Sequence, residues 1–263
     1  MPRPAAFVAI LSYGLMLTVS AQAQSVPLPI PAPQQKERPP AAVLTPVLEP
    51  LDTPVQTAAP AQKPPMPVLP NSRALPRDGK PATLDAGQRA LVEKINGYLS
   101  KTQNLSGNFV QIGPDGSRTT GDFYMQKPGK VRFEYNPPSP IDIIADGSSV
   151  AVRDRRLATQ DLFPLSQTPL RYLLNDKIDL LRETTLMGVH TDDVFVTLVI
   201  EEKHAVAGTH RLLLMFGAKD LQLRQWTVTD PQGYDTTVAV YNLDSNKKPD
   251  PGIFQINYQR LIQ

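Results

Sequence analysis

Three histidines, His190, His204 and His210, are the imidazoles available for acid–base work or metal ligation, and none stands in a spacing such as H-E-x-x-H. Each falls at a predicted strand end or loop. Gly147-Ser148-Ser149 lacks the G-x-S-x-G form of a nucleophile elbow, and a hairpin at Asp146-Gly147 accounts for it. Gly113-Pro-Asp-Gly116 lies between strands, whereas a phosphate cradle needs a helix to follow. Thr191-Asp-Asp193 has no calcium-loop spacing and reads as a turn. Arg153-Asp-Arg-Arg156 is partly self-neutralising and reads as a solvated hairpin end. Cysteine is absent, which excludes disulfides, thiolate nucleophiles, Cys-ligated metals and a lipid-modified N-terminal Cys. No paired acid and base emerge, so neither an enzyme, a metal site nor a cofactor is expected. An envelope hydrolase with an unfamiliar site is the reading this disfavours most.

The totals exclude a further class. Lys+Arg 27 against Asp+Glu 25 gives a formal charge of +2, and no clustered basic face is present to bind nucleic acid. Proline is unevenly spread: most of the 28 prolines in 263 residues precede residue 82.

That unevenness divides the chain. Residues 1–23 carry Arg3, an apolar run from Ala5 to Val19 and the A-x-A box Ala21-Gln-Ala23, the pattern of a secretory signal peptide cleaved after Ala23. The mature protein is expected in the periplasm of a cell with two membranes. Residues 24–82 alternate Pro with small or apolar residues, as in Val26-Pro-Leu-Pro-Ile-Pro-Ala-Pro33 and Pro64-Pro65-Met66-Pro67. So many prolines remove backbone donors and forbid helix, so a disordered spacer is expected, with a docking arm as the sharper alternative. At about 3.1 Å per residue it could reach on the order of 100 Å.

Residues 83–263 form the folded domain. Thr83 is the predicted N-cap of an amphipathic helix over 84–101, with Asp85 in its first turn and Ile95 and Leu99 on its apolar face. Short strands follow: 105–112, 117–126, 130–136, 141–145 and 149–153, then 184–190, 194–202, 211–216, 221–229 and 236–243, with a last one at 253–258. The clearest pair is Gly121 to Tyr135. Phe123, Met125, Val131, Phe133 and Tyr135 recur every second residue around the turn Lys127-Pro-Gly-Lys130, with mostly polar residues between. Thr168-Pro169 predicts a cap and first-turn proline for a short helix carrying Leu170, Leu173 and Leu174, and a second short piece is predicted over 177–181. The fold class is mostly β (α+β), about ten antiparallel strands in a sheet wide enough to curl. Its greasy face either packs on the helices or encloses a cavity for an apolar ligand.

The residues Phe109-Val-Gln111, Gly121-Asp-Phe123, Lys127-Pro-Gly-Lys-Val-Arg-Phe-Glu-Tyr135, Pro140 and Ile143-Ile-Ala-Asp-Gly147 resemble the LolA family of periplasmic lipoprotein carriers. The resemblance spans roughly 84 to 258 and is strongest between Leu105 and Val152. It implies an incomplete antiparallel β-barrel or strongly curved sheet, with lid helices and a hydrophobic cavity that takes acyl chains. Phe109, Phe123, Met125, Val131, Phe133 and Tyr135 would line one wall. Ile95 and Leu99 would come from the first helix, and Leu170, Leu173 and Leu174 from the lid. The implied partners are acylated lipoproteins, an inner-membrane ABC lipoprotein exporter and an outer-membrane lipoprotein receptor, with the carrier a monomer. The family keeps a basic residue, usually Arg, before the second segment's Pro, where it bonds lid carbonyls. Here that residue is Lys127, which lacks Arg's planar donor fork, and a solvated turn lysine is the alternative reading. The long Pro-rich segment also departs from the family. A soluble sensor of the same fold is the competing function.

Overall fold

The computed structural model describes residues 64–69, 81–204 and 208–259. The predicted signal peptide and most of the Pro-rich segment lie outside the described residues.

Eleven antiparallel strands make one sheet that does not close on itself. In chain order they are β1 (Asn104–Ile112), β2 (Arg118–Gln126), β3 (Lys130–Tyr135), β4 (Ile141–Asp146), β5 (Ser149–Asp154), β6 (Thr159–Pro164), β7 (Thr185–Thr191), β8 (Phe195–His204), β9 (Gly208–Gly217), β10 (Leu223–Thr229) and β11 (Asp235–Asp244). The spatial order is β6-β5-β4-β3-β2-β1-β11-β10-β9-β8-β7. Two meanders therefore meet at the β1–β11 pair, and β6 and β7 form the two edges. The chain between them, residues 165–184, passes from one edge to the other and carries α2 (Arg171–Leu174) and α3 (Leu180–Glu183). The first helix, α1 (Ala86–Lys101), sends Val92, Ile95 and Leu99 into the same core cluster as the sheet's inward residues.

Alternation decides which face is inward. Phe123 lies opposite Phe133, Met125 opposite Val131 and Gly121 opposite Tyr135, and the side chains of Phe123, Met125, Val131, Phe133 and Tyr135 are buried in the main core. At Gly121, a Cβ would lie 2.1 Å from the Glu134 carbonyl oxygen and 2.7 Å from the Phe109 ring. The glycine of the G-x-F pattern is thus where the Phe109 ring beds down on the neighbouring strand, which no side chain would permit.

Several expectations are corrected. Asp85, not Thr83, caps α1: its carboxylate accepts the Gln88 N–H at 2.8 Å and the Gln88 side chain returns a bond to the Asp85 N–H at 3.0 Å. A carboxylate three residues before a Gln closes a reciprocal box, which Thr83 could not do. The two-residue turn between β4 and β5 is Gly147-Ser148, one residue later than expected, with Asp146 accepting the Ser148 and Ser149 N–H groups. β6 was absent from the sequence reading, because Thr159 to Pro164 has little alternation and ends in Pro. Residues 253–258 are not a strand. Pro251–Phe254 forms a 3-10 turn capped by Asp250, and the chain then crosses the sheet's outer face. Side chains hold its carbonyls: Arg132 donates to Ile253 at 3.2 Å and Gln160 to Asn257 at 3.0 Å. These bonds leave its backbone out of any ladder.

Candidate functional site

The groups that chemistry would require are committed elsewhere. Asp192 accepts the Val194 and Phe195 N–H groups at 2.8 and 2.7 Å, which holds a hairpin and keeps its carboxyl below the usual range. Ser148 donates its hydroxyl to Asp146 within the turn. Asp154 accepts from the Arg156 and Leu157 N–H groups. His190, His204 and His210 fall on β7, β8 and β9. Among the described residues, no group of three or more His, Asp or Glu side chains could hold a metal ion, and no helix is long and apolar enough to cross a membrane.

What the fold does assemble is an apolar seam under α1 and α2. Aromatic rings form its floor. Phe109 meets Phe133 and Tyr135 edge-on at 5.3 and 4.9 Å, and Phe123 stacks on Phe133 at 5.9 Å. Trp226 of β10 reaches Phe133 from the other meander at 6.1 Å. Above this floor lies a void of about 30 Å³. Its lining includes Leu99, Phe123, Met125, Val131, Phe133, Leu170, Leu173 and Leu174 from the sequence reading. Ile95, Phe109 and Tyr135 sit in the surrounding core instead of on the void. The Tyr135 hydroxyl donates to Gln111 at 2.7 Å, which settles the one polar atom that burial would otherwise orphan.

Tyr98, Thr102, Leu105, Leu223 and Trp226 also line the void and were missed. Alternation marks Trp226 and Val228 as one face of β10. It says nothing about which strand faces β3 across a curved sheet.

The void holds about one water-sized volume, far below the roughly 300 Å³ at which ligand pockets begin. The expected cavity is therefore filled, with the leucines of α2 seated in it.

Polar ties at the rim hold them in place. The Gly129 N–H donates to the Leu174 carbonyl at 2.9 Å, joining the β2–β3 turn to the end of α2. Arg171 pairs with Glu202 of β8, donates to the Ser166 carbonyl at 3.0 Å and stands over the Tyr172 ring at 4.2 Å. Thr168 is not a helix cap, since its hydroxyl donates to the Leu165 carbonyl at 2.9 Å. The short helix is preceded by Leu170 instead.

Lys127 is neither a solvated turn residue nor bonded to α2, where the resemblance placed a lid. Its side chain is buried, 7% exposed, and Nζ donates to the Leu99 carbonyl of α1 at 2.6 Å. Burial lowers its pKa to about 8, with Asp176 opposing that shift. The folded value lies below the unfolded one, so the cation opposes folding at neutral pH, and stability rises as pH climbs from about 8 towards 10.5. We expect Lys127→Met to lack this rise. The unfolding free energy of the native chain, measured against the variant by urea titration, should gain up to about 3 kcal/mol over that window. Parallel pH profiles would refute the assignment.

Residues 100–257 match the family model described as outer membrane lipoprotein carrier protein LolA. The chain is 26% identical over 179 residues to the outer-membrane lipoprotein carrier protein of Methylobacillus flagellatus, covering 65% of this chain and 84% of that one. It is 27% identical over 177 residues to the protein of the same name from Pseudomonas aeruginosa, covering 63% and 82%. Among solved structures, a LolA superfamily protein from Nitrosomonas europaea superposes with a TM-score of 0.36 at 10% identity, covering 64% of this chain and 98% of that one.

Proposed function

Because the chain belongs to the LolA family of outer membrane lipoprotein carrier proteins, we propose that it is a periplasmic carrier whose seam takes the acyl chains of lipoproteins. One observation carries the reading. The interior beneath α2 is lined almost wholly by aliphatic and aromatic side chains, while the groups that pin α2 over it are polar and lie at its rim.

The energetics suit a shuttle. Each methylene transferred from water into the seam contributes about 0.8 kcal/mol. Several long chains bound to a preformed cavity would not come out again. Here the guest must first displace Leu170, Leu173 and Leu174, which pack well in the empty protein, and that cost offsets part of the gain. Loading from an inner-membrane ABC exporter and unloading at an outer-membrane receptor then need only small differences in free energy. No covalent step and no cofactor enter.

Mass spectrometry of the protein purified from its native envelope tests the reading. Acylated polypeptide should accompany it, and a preparation carrying only free lipid, or none, would count against it. Depletion separates carrier from sensor. Loss of a carrier strands lipoproteins at the inner membrane, whereas loss of a sensor leaves their sorting intact.

A further inference from the structure

The sheet's outer face holds a second contact of a different kind. Gln225 sits on β10 with its side chain outward, opposite Met215 of β9 and Ala239 of β11. It is 4% exposed. A buried primary amide has two N–H groups and an oxygen to satisfy. Those partners come from the Pro-rich segment. The Val68 N–H donates to Oε1 at 2.9 Å, and Nε2 donates to the Val68 carbonyl at 2.6 Å. Nε2 also lies 3.3 Å from the Met215 sulfur.

One side chain thus brackets a single residue of main chain, as a neighbouring strand would. The side chains that flank the bracket face solvent, Met66 90% exposed and Val68 47%, while Pro65 and Pro67 are half-buried. In Pro64-Pro65-Met66-Pro67-Val68 only Met66 and Val68 keep an N–H, so the bracketed position is one of the two that can donate. Beside the bracket, a hollow of about 630 Å³ lies between Pro65, Met66 and Val68 on one side and Phe195, Gly217 and Tyr241 on the other.

We propose that the outer face of β9–β11 is a peptide-docking site that reads main chain through Gln225, and that its occupant is the chain's own Pro64–Leu69. The Pro-rich segment is then not a free spacer from end to end. At Pro64–Leu69 it is strapped to the face opposite the apolar seam. This inference does not depend on lipoprotein carriage.

Amide hydrogen exchange in the full chain, read by NMR, tests it. The Val68 amide should exchange at least about tenfold more slowly than that of Met66. Gln225→Ala should bring the two to the same rate while the Thr227 and Leu213 amides stay protected. Equal rates in the unaltered chain, or protection of Val68 that survives Gln225→Ala, overturn the proposal. If that variant does not fold, Val68→Pro decides from the other side, since it deletes the donor without touching the sheet. The bond removed is the one that Oε1 accepts, while the residue-68 carbonyl stays. The Gln225 side-chain amide resonances should therefore move toward those of a solvated glutamine, and unmoved resonances overturn the proposal equally.

Discussion

Leu173→Glu is expected to abolish the capture of acylated cargo while leaving the eleven-stranded sheet folded. Leu173 is buried and lines the void above Phe123 and Phe133. The one cation in the lining is Lys127, held on the Leu99 carbonyl of α1, so a carboxylate at position 173 is paired only if it is drawn to that lysine and away from the place the leucine fills. Seating a charge in that lining costs roughly 3–5 kcal/mol. The empty protein escapes it by turning the residue out to solvent, whereas a guest covered by α2 would hold the carboxylate against its acyl chain. The cost therefore falls on the loaded state. Affinity for a fluorescent acyl probe should fall by at least about a hundredfold at that cost. Far-UV circular dichroism should still report the β domain, and Leu173→Met, which conserves volume, should bind as the native chain does. Unchanged co-purification of cargo with Leu173→Glu would show that α2 does not cover the binding site.

Arg171→Ala is expected to act in the opposite direction. The guanidinium joins α2 to Glu202 of β8, to the Ser166 carbonyl and to the Tyr172 ring. Its removal should take about 1–2 kcal/mol from the closed state, by the usual strength of partly buried charge-assisted bonds. The closed state excludes the guest, so a larger open fraction strengthens apparent affinity in proportion. A single-chain acyl probe should bind roughly tenfold tighter and transfer to acceptor vesicles correspondingly more slowly. Equal affinity in native and variant protein would mean that the ion pair does not gate the seam. Together the two variants separate a lid that forms the site from a latch that restrains it.

Local pattern carried much of this architecture. The period-two runs in Phe123–Met125 and Val131–Tyr135 identified both the hairpin and its inward face, because a strand can bury only alternate residues. The i, i+3, i+4 spacing of Leu170, Leu173 and Leu174 likewise marked the place of a short helix. Leu170 only precedes it, however, and Tyr172 is buried along with Leu173 and Leu174, so the helix is not buried on one side alone. What was not readable depends on distant partners. Trp226 reaches Phe133 only because the two meanders curve toward each other. Arg171 and Glu202 meet because the edge-to-edge segment passes over β8, which no spacing along the chain announces. The bracket between Val68 and Gln225 spans 157 residues, and composition alone made that stretch a spacer. Residues 253–258 looked like a strand because they are apolar at alternate positions. They satisfy their carbonyls with Arg132 and Gln160 instead.

The segment over residues 165–184 is tied at both ends, to β6 on one edge and β7 on the other. It cannot swing clear on a single hinge as a flap does; it can only bow. The slack for bowing is stored in its helices. Unwinding the four residues of α2 from 1.5 to about 3.3 Å per residue releases about 7 Å of contour, and the four of α3 release a similar length. On the carrier reading, the girth of what can be enclosed is therefore set by chain length between two fixed points, so that capacity is a matter of contour as much as of greasiness. Shortening that segment would lower the ceiling on guest size without altering a single lining residue.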